Sequence, residues 1–371
     1  MKVTLAIDSF KGSISSVDAE KAVERGIHRA DPLVVCDKFA VSDGGEGLVE
    51  TLHTGRDELV SVSVHGPLFE MRTARYLRRG STAVIEMAAA SGLTLVPEEK
   101  RNPMETTTLG TGELIMHALA SGCTRLLIGI GGSATNDGGI GMASGLGYRF
   151  LDKEGKSVKP CGKNLQTIRS IDMSQVTPLL QHAVIIAACD IENPLYGKNG
   201  AAAVYGPQKG AVPEMVAELD AGLVNLAACS GKESTASAKG SGAAGGLGFG
   251  LRAFCNAELC SGIELVLHET GIEESMRSSQ LVITGEGRID SQTGYGKVPA
   301  GVAGLAKKYG LPVVAIAGSI GEGTEDLYKL GIDAVVCTTN APMELSEAMM
   351  RAPELIEDAA FRTWKLLQVR L

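Results

Sequence analysis

The sequence lacks the features that would direct it to a membrane, a nucleic acid or an oxidising compartment. No stretch approaches the roughly 18 consecutive apolar residues of a transmembrane helix. No basic stripe is present and the net charge is −8, so nucleic acids and anionic membranes are not expected partners. The eight cysteines form no CxxC pair, and Asp8 interrupts the apolar run that a secretory signal would need. We therefore expect reduced thiols and a cytoplasmic location.

Several well-known site patterns are also missing. The six histidines form no HxH or HExxH cluster, which argues against zinc chemistry and against a histidine-based nucleophile triad. The Walker pattern fails because Val298 follows Gly296-Lys297. Residues 129–134 match a dinucleotide fingerprint only in part, and no acidic residue about 20 positions later could hold a ribose. An NAD-dependent hydroxyacid dehydrogenase is therefore an alternative that the sequence disfavours.

Glycine, by contrast, is abundant, and its positions indicate strands that turn tightly into helices. The chain has 371 residues, of which 47 are glycine, and this length favours two domains. An apolar run at 3–7 leads through a polar loop into a helical pattern, with Ser15 or Ser16 as the cap and Asp31-Pro32 as the end. A second strand is predicted at 34–41. This beginning is typical of a parallel α/β domain.

The middle of the chain follows a different pattern from its two ends. Residues 58–96 alternate with period two, which predicts hairpins, whereas strand and helix alternate again from 281 to 339. We therefore predict an α/β fold in which a second α/β domain (61–279) is inserted into a discontinuous Rossmann-like domain (1–60 and 280–371). The active site is expected in the cleft between them. A Gly/Ala/Ser tract at 237–250 is predicted to be flexible.

The most informative segment is 126–139, where an apolar strand runs into a glycine-rich loop. Glycines let backbone N–H groups approach a phosphate closely, although a plain turn without a ligand explains the glycines as well. Asn136 and Asp137, at the end of this loop, fit either a metal site or a helix cap. Thr106 to Gly112 is a second candidate cradle for an anion, with a simple threonine cap as its alternative.

Five predicted strands end in glycine together with an acidic or amide residue. The ligand crevice of an open α/β sheet lies outside the carboxyl ends of its strands, so these groups are expected to converge. Such carboxylates suit phosphoryl transfer from a nucleotide, with Mg²⁺ on the phosphates and Lys or Arg neutralising charge. The residues concerned are Asp8, Asp43, Asn136 with Asp137, Asp190 with Asn193, and Glu286 with Asp290.

Several long motifs resemble those of the bacterial type 1 glycerate kinases, in order and from residue 1 to the C-terminal helix. They are Asp8-Ser-Phe-Lys11, Ser42-Asp-Gly-Gly-Glu-Gly47, Asn102-Pro with Thr106-Thr-Thr and Gly110-Thr-Gly-Glu113, Gly131-Gly-Ser-Ala-Thr-Asn-Asp-Gly-Gly139, Cys189-Asp190 with Asn193-Pro-Leu, and Thr284-Gly-Glu-Gly-Arg-Ile-Asp290 with Gly296-Lys297. The resemblance implies ATP-dependent phosphorylation of D-glycerate by a two-domain enzyme of glyoxylate or sugar-acid breakdown. It favours the 2-hydroxyl, whereas the residues themselves leave the 2- and 3-hydroxyls both open. Oligomeric state stays open, a homodimer included. A sugar-acid-binding protein without catalysis is a further alternative.

We assign roles to individual residues on mechanistic grounds. Asp190 is the first choice for a metal ligand or base, followed by Asp8 and Asp43, and Arg288 with Lys11 is expected to hold the glycerate carboxylate or the transferring phosphate. Further substrate contacts are expected from Ser9, Gly44, Gly45, Glu286 and Lys297. Mg²⁺ is assigned to Asp190, Asp137 and Asp290. The ATP phosphates are assigned to Thr107, Thr108, Gly110, Thr111, Gly131, Gly132, Ser133 and Asn136.

Overall fold

The computed structural model describes residues 1–44, 47–294 and 297–369. In this part of the chain no helix is both long and apolar enough to cross a membrane. The described strands are β1 Lys2–Ile7, β2 Val35–Lys38, β3 Glu58–His65, β4 Met71–Arg79, β5 Thr82–Glu86, β6 Arg125–Gly129, β7 Arg149–Leu151, β8 Ser170–Asp172, β9 Val184–Ala188, β10 Glu258–Cys260, β11 Leu281–Ile289, β12 Val313–Ile320 and β13 Ala334–Cys337.

The α-helices of the described residues alternate with these strands. They are α1 Ser16–Ala30, α2 Leu48–Leu52, α3 Ala88–Ser91, α4 Leu109–Ala120, α5 Ile140–Gly145, α6 Ala201–Tyr205, α7 Pro213–Ser230, α8 Glu233–Ala236, α9 Ala243–Cys255, α10 Gly262–Thr270, α11 Ile272–Met276, α12 Val298–Lys308, α13 Glu325–Lys329, α14 Leu345–Met350 and α15 Ala352–Leu367. Two compact units result: unit 1, residues 1–43 and 263–371, and unit 2, residues 44–262. The sequence-based boundaries lie later in the chain, and a cleft between the domains stays a prediction.

Unit 1 is built on a parallel sheet of five strands in the order β13-β12-β11-β1-β2. Counted along this unit, the order is 2-1-3-4-5, the other common doubly wound arrangement rather than the Rossmann order. The chain leaves β1 in one direction to form β2 and returns on its other side as β11. The gap between the carboxyl ends of β1 and β11 is therefore the switch point, where such sheets bind their ligands.

Local sequence signals explain how the first strand and helix of unit 1 form. Val3 to Ile7 are fully buried, as expected for an interior strand of a covered parallel sheet. The hydroxyl of Ser15 accepts the backbone N–H of Asp18 and so caps α1, which ends at Asp31 as predicted. The capping serine is thus Ser15, because Ser16 instead donates to the Ile7 carbonyl.

Unit 2 contains a mixed sheet of six strands in the order β10-β9-β6-β5-β4-β3. The hairpin predicted from period-two alternation is confirmed, since β3 and β4 pair antiparallel from Glu58–Arg78 to His65–Met71. Strands β5, β6, β9 and β10 pair in parallel, so their carboxyl ends share one edge of the sheet. The Gly-rich loop after β6 and Asp190 after β9 lie at that edge.

The Gly/Ala/Ser tract at 237–250 is not a flexible segment, which corrects the prediction made from its composition. Its second half is the buried start of α9, and Ala244, Gly245 and Gly246 have left-handed backbone angles. A Cβ on Gly245 would lie 1.9 Å from the Thr135 carbonyl oxygen. Glycine is needed there because two backbones pack in direct contact, not because the chain is mobile.

Two helix glycines of unit 1 make a matched pair for testing how closely α1 and α15 pack. A Cβ on Gly26 in α1 would lie 2.2 Å from the Glu357 carbonyl oxygen of α15, whereas a Cβ on the exposed Gly304 of α12 meets nothing within 4 Å. We expect Gly26→Ala to lower the free energy of unfolding by about 1–3 kcal/mol through overpacking. Gly304→Ala should raise it by about 0.5–1 kcal/mol, because alanine favours a helix. Urea unfolding of both variants checks this, and an unchanged midpoint for Gly26→Ala would contradict the close packing.

Candidate active site

A cavity of about 510 Å³ lies in unit 1, at the switch point of the parallel sheet. The loop after β1 and the end of β11 supply its polar groups, and α14 and the start of α15 supply an apolar wall. The lining residues are Asp8, Ser9, Phe10, Lys11, Ser13, Asp43, Glu286, Gly287, Arg288, Lys297, Gly318, Ser319, Thr338, Leu345, Ala348, Met349 and Ala352. The cavity thus combines three carboxylates with three cationic side chains.

Asp8 is the carboxylate of this cavity whose environment most favours proton transfer. One of its oxygens, Oδ1, accepts the backbone N–H of Ser9 at 2.7 Å, and no bond to Oδ2 is formed by the described residues. Burial raises the pKa of Asp8 to about 6, and the negative charges of Asp43 and Glu286 add to this rise. A carboxylate with a pKa near the working pH and one open oxygen can act as a general base.

Glu286 lies inside β11, not beyond its end, and is held by two neighbours. Its Oε1 accepts the hydroxyl of Thr293 at 2.6 Å, and its Oε2 lies 3.5 Å from Lys297 Nζ. Burial raises the pKa of Glu286, and the Thr293 hydrogen bond and the Lys297 charge oppose that rise. The Glu286–Lys297 pair therefore holds a cation in the lining of the cavity that Asp8 also lines, where it can meet an anionic substrate.

Arg288 has its side chain 69% exposed, with Nε 3.2 Å from Asp290 Oδ2. Lys11 is also exposed, so both cations can reach a ligand in the cavity. An arginine held by a carboxylate on one edge keeps further N–H groups for a bidentate contact with a carboxylate or phosphate. Asp290 is thus placed beside Arg288, and its predicted metal role stays a prediction.

The structure brings together six residues that the sequence singled out: Asp8, Ser9, Lys11, Asp43, Glu286 and Arg288, with Lys297 as a seventh. Gly44 belongs to unit 2, where its backbone packs against Gly262, and its predicted substrate contact stays a prediction. Gly45 lies outside the described residues. Sequence reasoning missed Ser319 and Thr338. Ser319 is the last residue but one of β12 and Thr338 directly follows β13, so both could have been found as strand-end hydroxyls.

Asp137 is a structural cap, which corrects its assignment as a metal ligand. Its Oδ2 accepts the N–H and hydroxyl of Thr108 at 2.8 Å each and the N–H of Gly141 at 3.2 Å, while Oδ1 accepts the N–H of Gly139. The residue is completely buried. Both oxygens accept donors that begin α4 and α5, so the buried carboxylate is already engaged as a cap for the two helices.

The threonines before α4 also have structural roles, which corrects their assignment to the ATP phosphates. Thr106, Thr107, Thr108 and Thr111 are at most 1% exposed. Their hydroxyls bond inside unit 2, to the Ala134 carbonyl, the Leu109 N–H, Asp137 and Ser91 respectively. Gly110 packs on the His65 carbonyl, where a Cβ would lie 1.9 Å away. This segment therefore joins the core and presents no side chain to a nucleotide.

The glycine-rich loop divides into an exposed part and a packed part. Gly138 and Gly139 have positive φ and pack against α7 and α9, where a Cβ on Gly138 would lie 2.4 Å from Leu226 Cδ2. Gly132 also has positive φ but is exposed, beside the half-exposed Gly131 and the mostly buried Ser133. The exposed part of the loop is therefore 131–133, and Asn136 lies buried behind it.

Asp190 follows β9 at the same sheet edge of unit 2 and is exposed. Its Oδ1 accepts the Ser261 hydroxyl and the Gly262 N–H, both at 2.9 Å. These two bonds hold Oδ1 in place. An exposed, oriented carboxylate suits Mg²⁺, which keeps several waters and takes few protein ligands.

Lys209, which sequence reasoning missed, is buried directly beneath the glycine-rich loop. Its Nζ donates to Ser133 Oγ at 2.6 Å and to the Thr135 carbonyl at 2.7 Å, and the residue is 2% exposed. Burial lowers the pKa of Lys209 to about 7, and the negative charge of Asp137 opposes that fall. The sequence signal was a lysine between glycines, Gly206-Pro-Gln-Lys-Gly210, in an otherwise apolar stretch.

The doubly wound sheet with an acid and cation cavity at its switch point defines a class of protein, an α/β enzyme that acts on a small anion. Residues 3–368 match the model of the Glycerate kinase family. A glycerate kinase of Halalkalibacterium halodurans is 48% identical over 364 residues, 96% of each chain. A glycerate 2-kinase of Escherichia coli K12 is 47% identical over 358 residues, 95% of this chain and 94% of that protein.

A solved structure from Salmonella typhimurium LT2 that carries the glycerate kinase 2 designation superimposes with a TM-score of 0.89 at 44% identity, covering 99% of this chain and 98% of that one. The chain therefore belongs to the glycerate kinase family. The predictions of the family, of an enzyme and of glycerate kinase activity are confirmed by these similarities. The dehydrogenase and the non-catalytic binding protein are accordingly set aside.

Proposed function

We propose that this kinase transfers the γ-phosphoryl group of ATP to the 2-hydroxyl of D-glycerate, with Mg²⁺ on the nucleotide phosphates. The observation that carries the proposal is the cavity in which Asp8 lies among Lys11, Arg288 and Lys297. Phosphoryl transfer needs a group that accepts the hydroxyl proton and charges that hold the anionic substrate in place. Support for the 2-position comes from the relative in Escherichia coli, which is named a glycerate 2-kinase.

The glycerate carboxylate is assigned to Arg288, with Lys297 and Lys11 supplying further positive charge. Arginine presents paired N–H groups that match a carboxylate, and such charge-assisted pairs are stronger than neutral hydrogen bonds. Phe10 and Met349 supply an apolar side to the same cavity, which would exclude water from the reacting hydroxyl. A small hydroxyacid fits this combination of one charged and one apolar wall.

Asp8 is the proposed base, in place of Asp190, which was the first choice from sequence. The oxygen of the substrate hydroxyl attacks the γ-phosphorus, the bond from that phosphorus to the bridging oxygen of ADP breaks, and the hydroxyl proton moves to Asp8 Oδ2. The raised pKa of Asp8 supports this role, because a base works best with a pKa near the operating pH. The negative charge of Asp43 adds to the rise in the pKa of Asp8, and we assign Asp43 this supporting role.

The ATP phosphates are assigned to the exposed part of the glycine-rich loop, Gly131 to Ser133, with Asn136 behind it. Asn136 is completely buried, and neither its amide oxygen nor its amide nitrogen has a hydrogen-bond partner among the described residues. An unpaired buried amide is costly unless a ligand satisfies it. Asp190 would hold Mg²⁺, which supplies charge neutralisation to the transferring phosphate.

The phosphorus NMR spectrum of the product tests this function. With D-glycerate and Mg·ATP we expect ADP and a phosphoglycerate whose phosphorus signal is split by a single proton, because carbon 2 carries one hydrogen. Phosphorylation of the 3-hydroxyl would couple phosphorus to the two hydrogens of carbon 3 and would overturn the 2-position alone. Absence of ADP with D-glycerate, or ADP release that does not depend on glycerate, would overturn the kinase reaction itself.

A further inference from the structure

Beneath the loop that follows β6, unit 2 holds a buried ammonium group with more hydrogen-bonding capacity than its neighbours use. Lys209 Nζ donates to Ser133 Oγ and the Thr135 carbonyl, and its third N–H has no partner among the described residues. A lysine is almost never buried unless its charge is paired. No described carboxylate forms an ion pair with Lys209, so its charge is not neutralised within unit 2 by direct contact.

The direction of the bond to Ser133 has a chemical consequence. A protonated lysine only donates hydrogen bonds, so Ser133 Oγ must be the acceptor at 2.6 Å. The hydroxyl hydrogen of Ser133 is then left to donate elsewhere, and the described residues offer no acceptor for it. Ser133 retains 8% of its surface exposed, next to the exposed Gly132. The loop therefore offers the Ser133 hydroxyl as a donor, and the ammonium group of Lys209 is bonded to the oxygen of that hydroxyl.

Asn136 provides an independent observation on the same loop. Its side chain is completely buried, and both polar atoms of its amide are unpaired among the described residues. It follows directly after Thr135, whose carbonyl Lys209 holds. Ser133 and Asn136 thus belong to one short segment that Lys209 holds through Ser133 and Thr135, and all three side chains keep an unpaired donor among the described residues. Unpaired donors in a low-dielectric setting favour binding of an anion.

We infer that Lys209 is a positioning residue for a phosphoryl group, acting through Ser133 and through its own charge at the loop 131–136. The ligand class is the terminal phosphate of a nucleoside triphosphate. This inference rests on the proposed function, because that function assigns ATP to the same loop. It goes further by naming the cation that the glycine-rich loop itself lacks.

The pH dependence of binding follows from the environment of Lys209. Asp137 is the described charged residue whose field acts on it, and burial leaves its pKa at about 7. Protonated Lys209 attracts a phosphate, so the affinity for ATP should fall as pH rises from 7 to 9. Bound phosphate in turn raises the pKa of Lys209, so binding should take up a proton in this range.

The test measures ATP binding and steady-state kinetics in the full chain for Lys209→Met, Lys209→Arg and the control Lys163→Met. Lys163 is an exposed lysine of the same unit, paired with Glu105 at 2.6 Å. For Lys209→Met we expect the KM for ATP to rise by about 10- to 100-fold, with the KM for glycerate unchanged. Lys209→Arg should recover part of the loss, and Lys163→Met should behave as wild type.

Two further readouts separate this role from a merely structural one. The melting temperature of Lys209→Met should equal or exceed that of wild type, because a buried charge is replaced by an apolar chain of similar length. Calorimetry in buffers of different ionisation enthalpy should show proton uptake on ATP binding that Lys209→Met loses, while titration of the γ-phosphate itself is common to both proteins.

An unchanged KM for ATP with unchanged proton uptake would overturn the inference, even if wild type still forms phosphoglycerate. Failure of wild type to form ADP would instead overturn the proposed function.

Discussion

Replacing Asp8 with asparagine is expected to lower kcat by about 10²- to 10⁴-fold, which is the range that a lost general base accounts for. An amide has nearly the shape of the carboxylate but cannot accept the hydroxyl proton. The effect should appear in kcat more than in the KM for glycerate, because the cations Lys11, Arg288 and Lys297 stay in the cavity. Steady-state kinetics at saturating ATP measure both parameters.

The pH profile gives the same variant a second signature. Asp8 has a pKa of about 6 in the folded protein, so kcat/KM of the wild type should fall as pH drops below 6 and the base becomes protonated. Asp8→Asn should lose this acidic limb. If the residual kcat/KM of Asp8→Asn still falls at acidic pH with a midpoint near 6, a group other than Asp8 is responsible for the titration.

Stability should change in the opposite direction to activity. The folded-state pKa of Asp8 is raised above the ordinary value of 3.8, so the folded state binds the proton more tightly and the group's contribution to stability is lost as pH rises through 6. Asparagine carries no charge to desolvate. We therefore expect Asp8→Asn to raise the free energy of unfolding at pH 8 by about 1–2 kcal/mol, a figure reduced for partial solvent exposure.

Asp333→Asn is the matched control for this variant. Asp333 is an acid of unit 1 whose Oδ2 accepts the backbone N–H of Val313 at 2.7 Å, at the amino end of β12 and so away from the cavity. Its loss should leave kcat within about twofold of wild type, since a distant substitution acts only through stability. If Asp8→Asn keeps kcat within tenfold while the control behaves as stated, Asp8 is not the base.

The second large effect is expected on folding, at Asp137. Asp137→Ala leaves the N–H and hydroxyl of Thr108 and the N–H groups of Gly139 and Gly141 without their acceptor in a fully buried site. Unpaired buried donors are each costly, so we expect the free energy of unfolding to fall by about 3–5 kcal/mol. Urea unfolding monitored by circular dichroism measures the loss.

The isosteric variant Asp137→Asn distinguishes this cap from a metal ligand. Its amide keeps one acceptor oxygen but turns an NH₂ group toward backbone donors, so we expect a smaller loss of about 1–3 kcal/mol. The Mg²⁺ concentration for half-maximal activity should equal that of wild type in the protein that stays folded. A large rise in that concentration with unchanged stability would restore Asp137 as a metal ligand.

Asp152→Ala serves as the control for the cap. Asp152 accepts the backbone N–H groups of Glu154 and Lys156 in an exposed turn, so it offers the same type of bond without burial. Water replaces the lost acceptor at such a site, and the unfolding midpoint should stay close to that of wild type. The difference between Asp137→Ala and Asp152→Ala in the free energy of unfolding measures how much burial adds to the cost of a lost hydrogen bond.

Elements whose signals are local could be predicted from the sequence. Periodicity identified β1, α1 and the β3–β4 hairpin, and a serine followed by an acidic first turn marked the start of α1. The pattern of glycine and an acid at strand ends identified most of the polar residues that line the unit 1 cavity. The longer motifs indicated the family. These features depend on residues within a few positions of each other, where backbone geometry alone fixes which side chains share a face.

Which of the predicted site residues line a cavity and which are buried in the core depends on contacts between distant parts of the chain. Asp137 bonds Thr108 across 29 residues, and Lys209 reaches Ser133 across 76. No local pattern distinguishes a carboxylate that accepts four buried donors from one that lines a cavity, because both kinds lie in polar loops after strands. Burial and hydrogen-bond saturation arise only when distant segments pack, and these two quantities set whether an acid caps helices, as Asp137 does, or titrates near neutrality, as Asp8 does.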